Sequence, residues 1–135
     1  MHSQPHEYYD TISAIVVDDD RGIVSVLSDF LQIKGVKVIG KEYDGLGAVE
    51  IYKKLRSDVI FLDVLMERYD GFYAFEKIKE FHPEANIVMM TADSTSNMQE
   101  KLETIDACSI IYKPYDINEI VHVLNKISTI KVVVQ

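Results

Sequence analysis

The sequence predicts one α/β domain in which a parallel sheet of five strands is covered by helices on both faces. Five short apolar runs alternate with five stretches of helical periodicity, the pattern of strand–helix units joined by right-handed crossovers. The run at 59–62 is apolar throughout, as expected of a parallel strand buried on both faces. With 135 residues, 47% of them hydrophobic, the chain has enough apolar side chains for one core.

The predicted strands are short segments rich in β-branched and other apolar residues. The first and third end in acidic residues, and the fifth ends at Lys113-Pro114, where proline breaks the strand. We expect strands at residues 12–17, 36–39, 59–62, 87–90 and 109–112.

The predicted helices have apolar residues three or four positions apart and turn residues at their ends. Lys34-Gly35 ends the first helix, and Gly45-Leu46-Gly47 opens the second. Asp70-Gly71 precedes the third, which stops at His82-Pro83. The fourth is polar and weakly amphipathic. We expect helices at residues 23–33, 48–55, 72–79, 94–105 and 117–126.

These elements place the domain at residues 12–128 and leave a segment at each end. Residues 1–11 show no periodicity and are expected to form a loose N-terminal tail. Residues 129–135 contain a β-branched run typical of an extra strand, which would pair with a sheet edge or with a second copy in a homodimer. A linker stub is the alternative for this segment.

Charge and cysteine content exclude several classes of protein. The net charge of −8 leaves no positive footprint for direct binding to nucleic acid. No apolar stretch approaches the roughly 20 residues of a membrane span, and the polar opening segment resembles no signal peptide. Cys108 is the only cysteine, which excludes an internal disulfide and suits a reducing compartment. We therefore expect a cytoplasmic protein.

Charged and hydroxyl side chains stand at the ends of four predicted strands. Asp18 and Asp19 follow the first strand and Asp63 follows the third. Thr91 follows the fourth, and Lys113 follows the fifth. In a parallel sheet the carboxyl ends of the strands lie at one edge, where ligands bind, so these side chains should meet there.

The chemistry of these residues indicates a metal ion and a phosphoryl group. Crowded carboxylates repel one another unless a cation joins them, and an oxygen-only cluster suits Mg²⁺. Asp63 has one oxygen for the metal and a second that can attack phosphorus to form an acyl phosphate. The Lys113 ammonium and the Thr91 hydroxyl would bind the phosphoryl oxygens.

At these residues the chain resembles the receiver domain of two-component response regulators. The resemblance covers residues 12–127 and rests on four segments and on the spacing of Asp63 from Asp19 and Gly71. The segments are Ile15-Val16-Val17-Asp18-Asp19, Phe61-Leu62-Asp63, Met90-Thr91-Ala92 and Lys113-Pro114.

The resemblance implies a three-layer, flavodoxin-like (βα)5 fold with the strand order 2-1-3-4-5. It further implies Mg²⁺ held by Asp19, Asp63 and the carbonyl of Leu65, with Asp18 acting through water. A cis Lys113-Pro114 bond is also implied.

The resemblance also implies a function in two-component signalling. Asp63 would accept a phosphoryl group from a histidine kinase or a phosphotransfer protein, with Thr91 and Lys113 as phosphoryl ligands. The phosphorylated domain would act on a downstream effector protein, as in chemotaxis or a phosphorelay. Such a protein is a signalling phosphoacceptor rather than an enzyme.

Some residues differ from the family pattern. Glu67 replaces a proline in the segment after Asp63, and Ile110 replaces the aromatic residue whose ring follows the movement of the threonine. Asp106 replaces a glycine before the fifth strand. Spacing to Asp63 selects Asp18 and Asp19 as the acidic pair and leaves Asp20 as a helix cap.

Three alternatives remain open at the level of sequence. Ile110 is compatible with a pseudo-receiver that binds partners without being phosphorylated. The chain is also compatible with the excised receiver of a DNA-binding transcription factor. A haloacid-dehalogenase-type phosphatase is disfavoured, because it needs a second aspartate at the position of Leu65.

Overall fold

The computed structural model describes residues 8–134, with side chains described up to residue 132. Within that range five strands alternate with five helices, as predicted. The strands are β1 (Ser13–Val17), β2 (Lys37–Glu42), β3 (Val59–Asp63), β4 (Ile87–Thr91) and β5 (Ser109–Tyr112). The helices are α1 (Arg21–Ile33), α2 (Gly45–Leu55), α3 (Gly71–Phe81), α4 (Ser96–Glu103) and α5 (Ile117–Val134).

The strands form one parallel sheet in the order β2-β1-β3-β4-β5, which confirms the predicted flavodoxin-like topology. The chain moves from β1 to β2 on one side and then crosses to β3 on the other side, so the order reverses at β1. Such a reversal leaves a crevice at the carboxyl ends of the two strands beside it. The register pairs Val17 with Leu62 and Asp63 with Met90, so β1, β3 and β4 end close to one level.

Helices on both faces of the sheet bury the apolar strand residues in two clusters. One cluster joins one face of the sheet to α1 and α5, with Phe61, Leu31 and Leu124 among its buried members. The other joins the opposite face to α2, α3 and α4 and includes Tyr52 and Leu62. Burying one side chain of this size contributes about 1.5–3 kcal/mol, so this double layer is the main source of stability.

Side-chain caps fix where the helices begin. The Asp20 carboxylate accepts hydrogen bonds from the Gly22 and Ile23 amides at 2.9 and 3.2 Å, which confirms its predicted capping role. Asp44 and Asp70 cap α2 and α3 in the same way. Thr95 caps α4, which therefore begins two residues later than predicted. Each cap is worth about 1 kcal/mol.

The N-terminal boundary of the domain lies earlier than predicted. Residues 1–7 of the expected loose tail lie outside the described residues. Tyr9 is not loose, because its ring is buried in the core with 3% exposure. Its amide donates to the Lys34 carbonyl at 2.7 Å, and its hydroxyl donates to the Asn125 side chain at 2.7 Å. The adjacent pair Tyr8-Tyr9 carries no periodicity, so the sequence pattern could not detect this anchor.

The prediction of an extra strand at 129–135 is wrong for residues 129–134, which continue α5. Gln135 lies outside the described residues. Ile127 is fully buried and Ile130 packs against the same cluster, so the helical spacing of these side chains outweighs the β-branched composition. Neither α5 nor any other helix within 8–134 is both long and apolar enough to span a membrane.

Lys131 fastens this last part of α5 to the amino-terminal end of the sheet. Its ammonium donates to the Asp58 carboxylate at 3.0 Å and to the Thr11 carbonyl at 2.6 Å. Asp58 also accepts from the Ser13 amide at 2.8 Å. We expect Lys131→Met to lower the free energy of unfolding by about 1 kcal/mol, measured by urea denaturation. Lys77→Met, which removes only an exposed 3.9 Å pair with Glu80, is the control, and an equal loss in both variants would contradict the anchoring role.

Candidate functional site

Lys113 joins two buried aspartates at the carboxyl ends of β1 and β3. Its ammonium donates to Asp18 at 2.6 Å and to Asp63 at 2.8 Å. The two carboxylate side chains are only 7% and 8% exposed, and the lysine side chain is 16% exposed. One cation thereby links the carboxyl ends of three strands, β1, β3 and β5, which the parallel sheet brings to the same edge.

Asp19 completes the acidic cluster on its solvent side. Carboxylate oxygens of Asp18, Asp19 and Asp63 lie within 4.8 Å of one another, with Asp19 exposed and the other two buried. A single ammonium cannot neutralise three carboxylates, so the cluster keeps a net negative charge. The Asp20 amide donates to Asp18 at 2.9 Å, which fixes one oxygen of that side chain.

The donor set fits Mg²⁺. This ion prefers carboxylate oxygens and retains several waters, and the exposed side of the cluster leaves room for those waters. Among residues 8–132 the cluster contains no nitrogen or sulfur ligand. Three carboxylates beside one lysine are therefore suited to a small, hard divalent cation.

Burial is the main influence on the ionisation of Asp63. It raises the pKa of this carboxyl to about 6, against the opposing hydrogen bond and charge of Lys113 and with added repulsion from Asp18 and Asp19. Burial also opposes the charged form of Lys113, but its hydrogen bonds to Asp18 and Asp63 outweigh that effect and raise the lysine pKa. Asp63 is thus ionised at neutral pH in a setting that disfavours its charge, which a bound cation would relieve.

Thr91 is fully buried at the end of β4, the strand that pairs with β3. Its hydroxyl oxygen accepts a hydrogen bond from the Asp93 amide at 3.0 Å. Its carbonyl accepts from the Lys113 amide at 2.8 Å, so the ends of β4 and β5 are held together. The Lys113-Pro114 peptide bond is cis, as the resemblance implied.

Leu65 lies in the β3–α3 loop, residues 64–70, directly beyond Asp63. Its side chain is 52% exposed. Glu67, at the position of the missing proline, is exposed beside the exposed Arg68. The Val64 amide donates to the Met90 carbonyl at 2.8 Å, so the loop begins as a continuation of the β3–β4 pairing. Leu65 therefore directly follows a residue that is hydrogen-bonded to the sheet.

Ile110 lies on β5, so this position of the strand has no aromatic ring. It is half-buried and packs with Tyr112 against the cluster on the α2, α3 and α4 side. Tyr115 packs instead against the cluster on the α1 and α5 side. Tyr112, not Ile110, is the register partner of Thr91 on β5. Tyr112 and Tyr115 therefore pack on opposite sides of the sheet.

One contact beside the site was not expected from the sequence. Gly45, at the start of α2, donates its amide to the Tyr69 carbonyl in the β3–α3 loop at 2.6 Å. The only sequence signal was the Asp44-Gly45 turn before the helix, which gives no information about a partner distant in the chain.

Comparisons with known proteins agree with this geometry. A family profile described as response regulator receiver domain matches residues 14–125. The chemotaxis protein CheY of Thermotoga maritima is 31% identical over 84% of this chain and 95% of its own length. The CheY protein of Bacillus subtilis is 29% identical over 83% and 93%. The crystal structure of the CheX-CheY-BeF3-Mg²⁺ complex from Borrelia burgdorferi matches with a TM-score of 0.82, 27% identity and coverage of 93% and 98%.

Proposed function

Because this chain belongs to the response regulator receiver domain family, we propose that Asp63 accepts a phosphoryl group from the phosphohistidine of a kinase or phosphotransfer protein. The observation that carries the proposal is the Asp63 carboxylate, buried at the end of β3, 2.8 Å from the Lys113 ammonium and clustered with Asp18 and Asp19. The family relationship supports a signalling phosphoacceptor rather than an enzyme with a separate substrate.

Mg²⁺ is the cation that we propose for the acidic cluster. Asp19, Asp63 and the Leu65 carbonyl would hold it, and Asp18 would contact it through water. When bound, the ion would supply positive charge that offsets repulsion between the carboxylates and the phosphoryl oxygens. The related Borrelia burgdorferi complex contains Mg²⁺ together with BeF3, which supports the assignment.

The proposed reaction is a displacement at phosphorus. A carboxylate oxygen of Asp63 forms the new O–P bond while the P–N bond to the donor histidine breaks, and the departing imidazole keeps the electron pair and takes up a proton from water. Lys113 and Thr91 bind phosphoryl oxygens, the lysine through its ammonium and the threonine through its hydroxyl. To do so, the Thr91 hydroxyl has to turn its proton towards the phosphoryl group while it still accepts from the Asp93 amide.

The proposed output is a change of shape that a partner protein recognises. Lys113 reaches Asp63 from β5, and Thr91 ends β4. A phosphoryl group on Asp63 would therefore bind side chains at the ends of both strands. CheY is in complex with CheX in the Borrelia burgdorferi structure, which supports a protein as the partner of a related domain. We propose that this chain acts in the same manner in the cytoplasm, without direct contact with nucleic acid. A homodimer would be one form of this output.

The experiment that tests the proposal is phosphorylation by a small donor. Purified wild-type protein and Asp63→Asn are incubated with acetyl phosphate, with Mg²⁺ or with EDTA, and their intact masses are measured. We expect one added phosphoryl group on the wild type with Mg²⁺ only, and none on the variant, because the amide nitrogen of asparagine is not a nucleophile for phosphorus.

A second candidate function, the pseudo-receiver, is favoured by one observation. Ile110 lacks the ring that could follow a movement of Thr91. If the wild type gains no phosphoryl group with acetyl phosphate and its amide NMR spectrum does not change with beryllofluoride and Mg²⁺, the pseudo-receiver replaces the proposal. If both changes occur, the pseudo-receiver is excluded.

A further inference from the structure

The β3–α3 loop is held at both of its ends by backbone hydrogen bonds, to β4 at its start and back to its own first residue at its end. At the start, the Val64 amide donates to the Met90 carbonyl at 2.8 Å. At the end, the Gly71 amide donates back to the Val64 carbonyl at 2.8 Å. A Cβ atom on Gly71 would overlap the Asp63 carbonyl oxygen, so the start of α3 lies directly against the backbone of the acceptor residue.

Between these ends, the buried Met66 side chain packs into the cluster on the α2, α3 and α4 side, and Gly45 adds a backbone hydrogen bond that joins the loop to the start of α2. Its amide donates to the Tyr69 carbonyl at 2.6 Å and lies 3.3 Å from the Arg68 carbonyl. Gly45 is buried, and a Cβ atom there would overlap the Tyr69 carbonyl oxygen. The start of α2 can approach the loop this closely only because residue 45 has no side chain.

The exposed part of the loop needs such a contact because its own sequence does not fix its shape. It contains no proline, and Leu65, Glu67 and Arg68 are exposed. Tyr69 has a φ of +53°, a left-handed conformation that costs a non-glycine residue free energy. A strained residue persists only where its surroundings hold it, and the Gly45 hydrogen bond falls on the carbonyl of that residue.

We propose that Gly45 is a positioning residue of the Asp63 site, which rests on the function proposed above. By holding Tyr69 in its left-handed conformation, the Gly45 amide keeps the β3–α3 loop in one shape. The Leu65 carbonyl, which would complete the Mg²⁺ site, is part of that loop. Outer-shell residues of this kind change metal affinity without being ligands themselves.

The test compares Gly45→Ala with a matched glycine in the same helix turn. In Gly47→Ala the new methyl group meets only side-chain atoms, the flexible end of Glu42 and the Asp44 carboxylate, whereas in Gly45→Ala it meets backbone. The Mg²⁺ dissociation constant is measured by calorimetry for both variants and the wild type, and circular dichroism checks the fold. We expect a loss of affinity on the order of tenfold in Gly45→Ala and none in Gly47→Ala. Equal affinity in all three proteins overturns the proposal.

A second measurement needs no substitution and covers the case in which Gly45→Ala does not fold. If the Gly45 hydrogen bond favours Mg²⁺ binding, then Mg²⁺ must favour the hydrogen bond by the same free energy. We therefore expect saturating Mg²⁺ to slow hydrogen exchange of the Gly45 amide in the wild type. The Gly47 amide, which donates to Asp44 at 2.8 Å, should exchange at an unchanged rate. An unchanged Gly45 rate overturns the proposal.

The possible results distinguish the positioning role of Gly45 from the proposed function on which it rests. A wild type that binds Mg²⁺ and is phosphorylated, together with a Gly45→Ala variant of normal affinity, removes only the positioning role. A wild type that binds no Mg²⁺ removes the metal site and the positioning role together.

Discussion

Lys113→Met is expected to lower the free energy of unfolding by about 2 kcal/mol in metal-free buffer, below the roughly 3–5 kcal/mol typical for breaking a buried ion pair. The substitution leaves Asp18 and Asp63 facing each other in a buried setting without their shared cation. The loss is smaller than for a fully buried pair because one carboxyl can take up a proton and relieve the repulsion.

The effect of Mg²⁺ on the stability of Lys113→Met tests whether the loss comes from the missing positive charge. Urea unfolding is measured for Lys113→Met with and without the ion, and we expect Mg²⁺ to restore part of the lost stability because it supplies the missing positive charge. Lys37→Met, at an exposed position on β2, is the control and should unfold like the wild type. A Lys113→Met variant as stable as the wild type without metal would contradict the role assigned to this lysine.

Asp63→Asn is expected to have the opposite effect and stabilise the metal-free fold at pH 7. Burial raises the pKa of Asp63 to about 6 from its usual 3.8, so the folded state holds the ionised carboxyl unfavourably at neutral pH. A shift of this size corresponds to about 3 kcal/mol, and solvent at the site edge reduces the expected gain to about 1–2 kcal/mol.

The pH dependence has a definite sign. Because the folded pKa lies above the unfolded one, protonation of Asp63 stabilises the fold, fully below about pH 4 and not at all well above pH 6. The advantage of Asp63→Asn should therefore be greatest at pH 7 and should shrink as the pH falls through 6 towards 4. Thermal unfolding of the wild type and of Asp63→Asn between pH 7 and pH 4 measures this difference in stability. Asp106→Asn, with a 98% exposed carboxylate, is the control. A destabilised Asp63→Asn at pH 7 would contradict the unfavourable burial of this charge.

The residues at the strand ends could be predicted from the sequence, because parallel topology leaves few alternatives for where those ends lie. Asp18, Asp63 and Lys113 each close a short apolar run, and consecutive parallel strands bring their carboxyl ends to one edge of the sheet. The structure joins these three residues directly, although spacing alone could not decide that Lys113 bonds Asp18 rather than Asp19. That choice depends on side-chain direction: one oxygen of Asp18 accepts from the Asp20 amide, and the other accepts from Lys113.

The remaining features depend on contacts between residues distant in the chain. The β-branched run after 128 favours a strand by composition, but the anchoring of Ile127, Ile130 and Lys131 keeps it helical. Tyr9 and Gly45 are single residues whose partners lie far away in sequence, so no local pattern identified them. Such contacts are set by tertiary packing, which propensity does not encode.

The most direct test of Asp63 as the phosphoryl acceptor locates the phosphoryl group in the chain. Wild-type protein phosphorylated with acetyl phosphate and Mg²⁺ is reduced with borohydride, which converts an aspartyl phosphate to homoserine, and is then digested and sequenced by tandem mass spectrometry. We expect homoserine at position 63 and unmodified aspartate at positions 18 and 19. Homoserine at another aspartate, or at none under conditions that saturate the site with Mg²⁺, would contradict the assignment of Asp63.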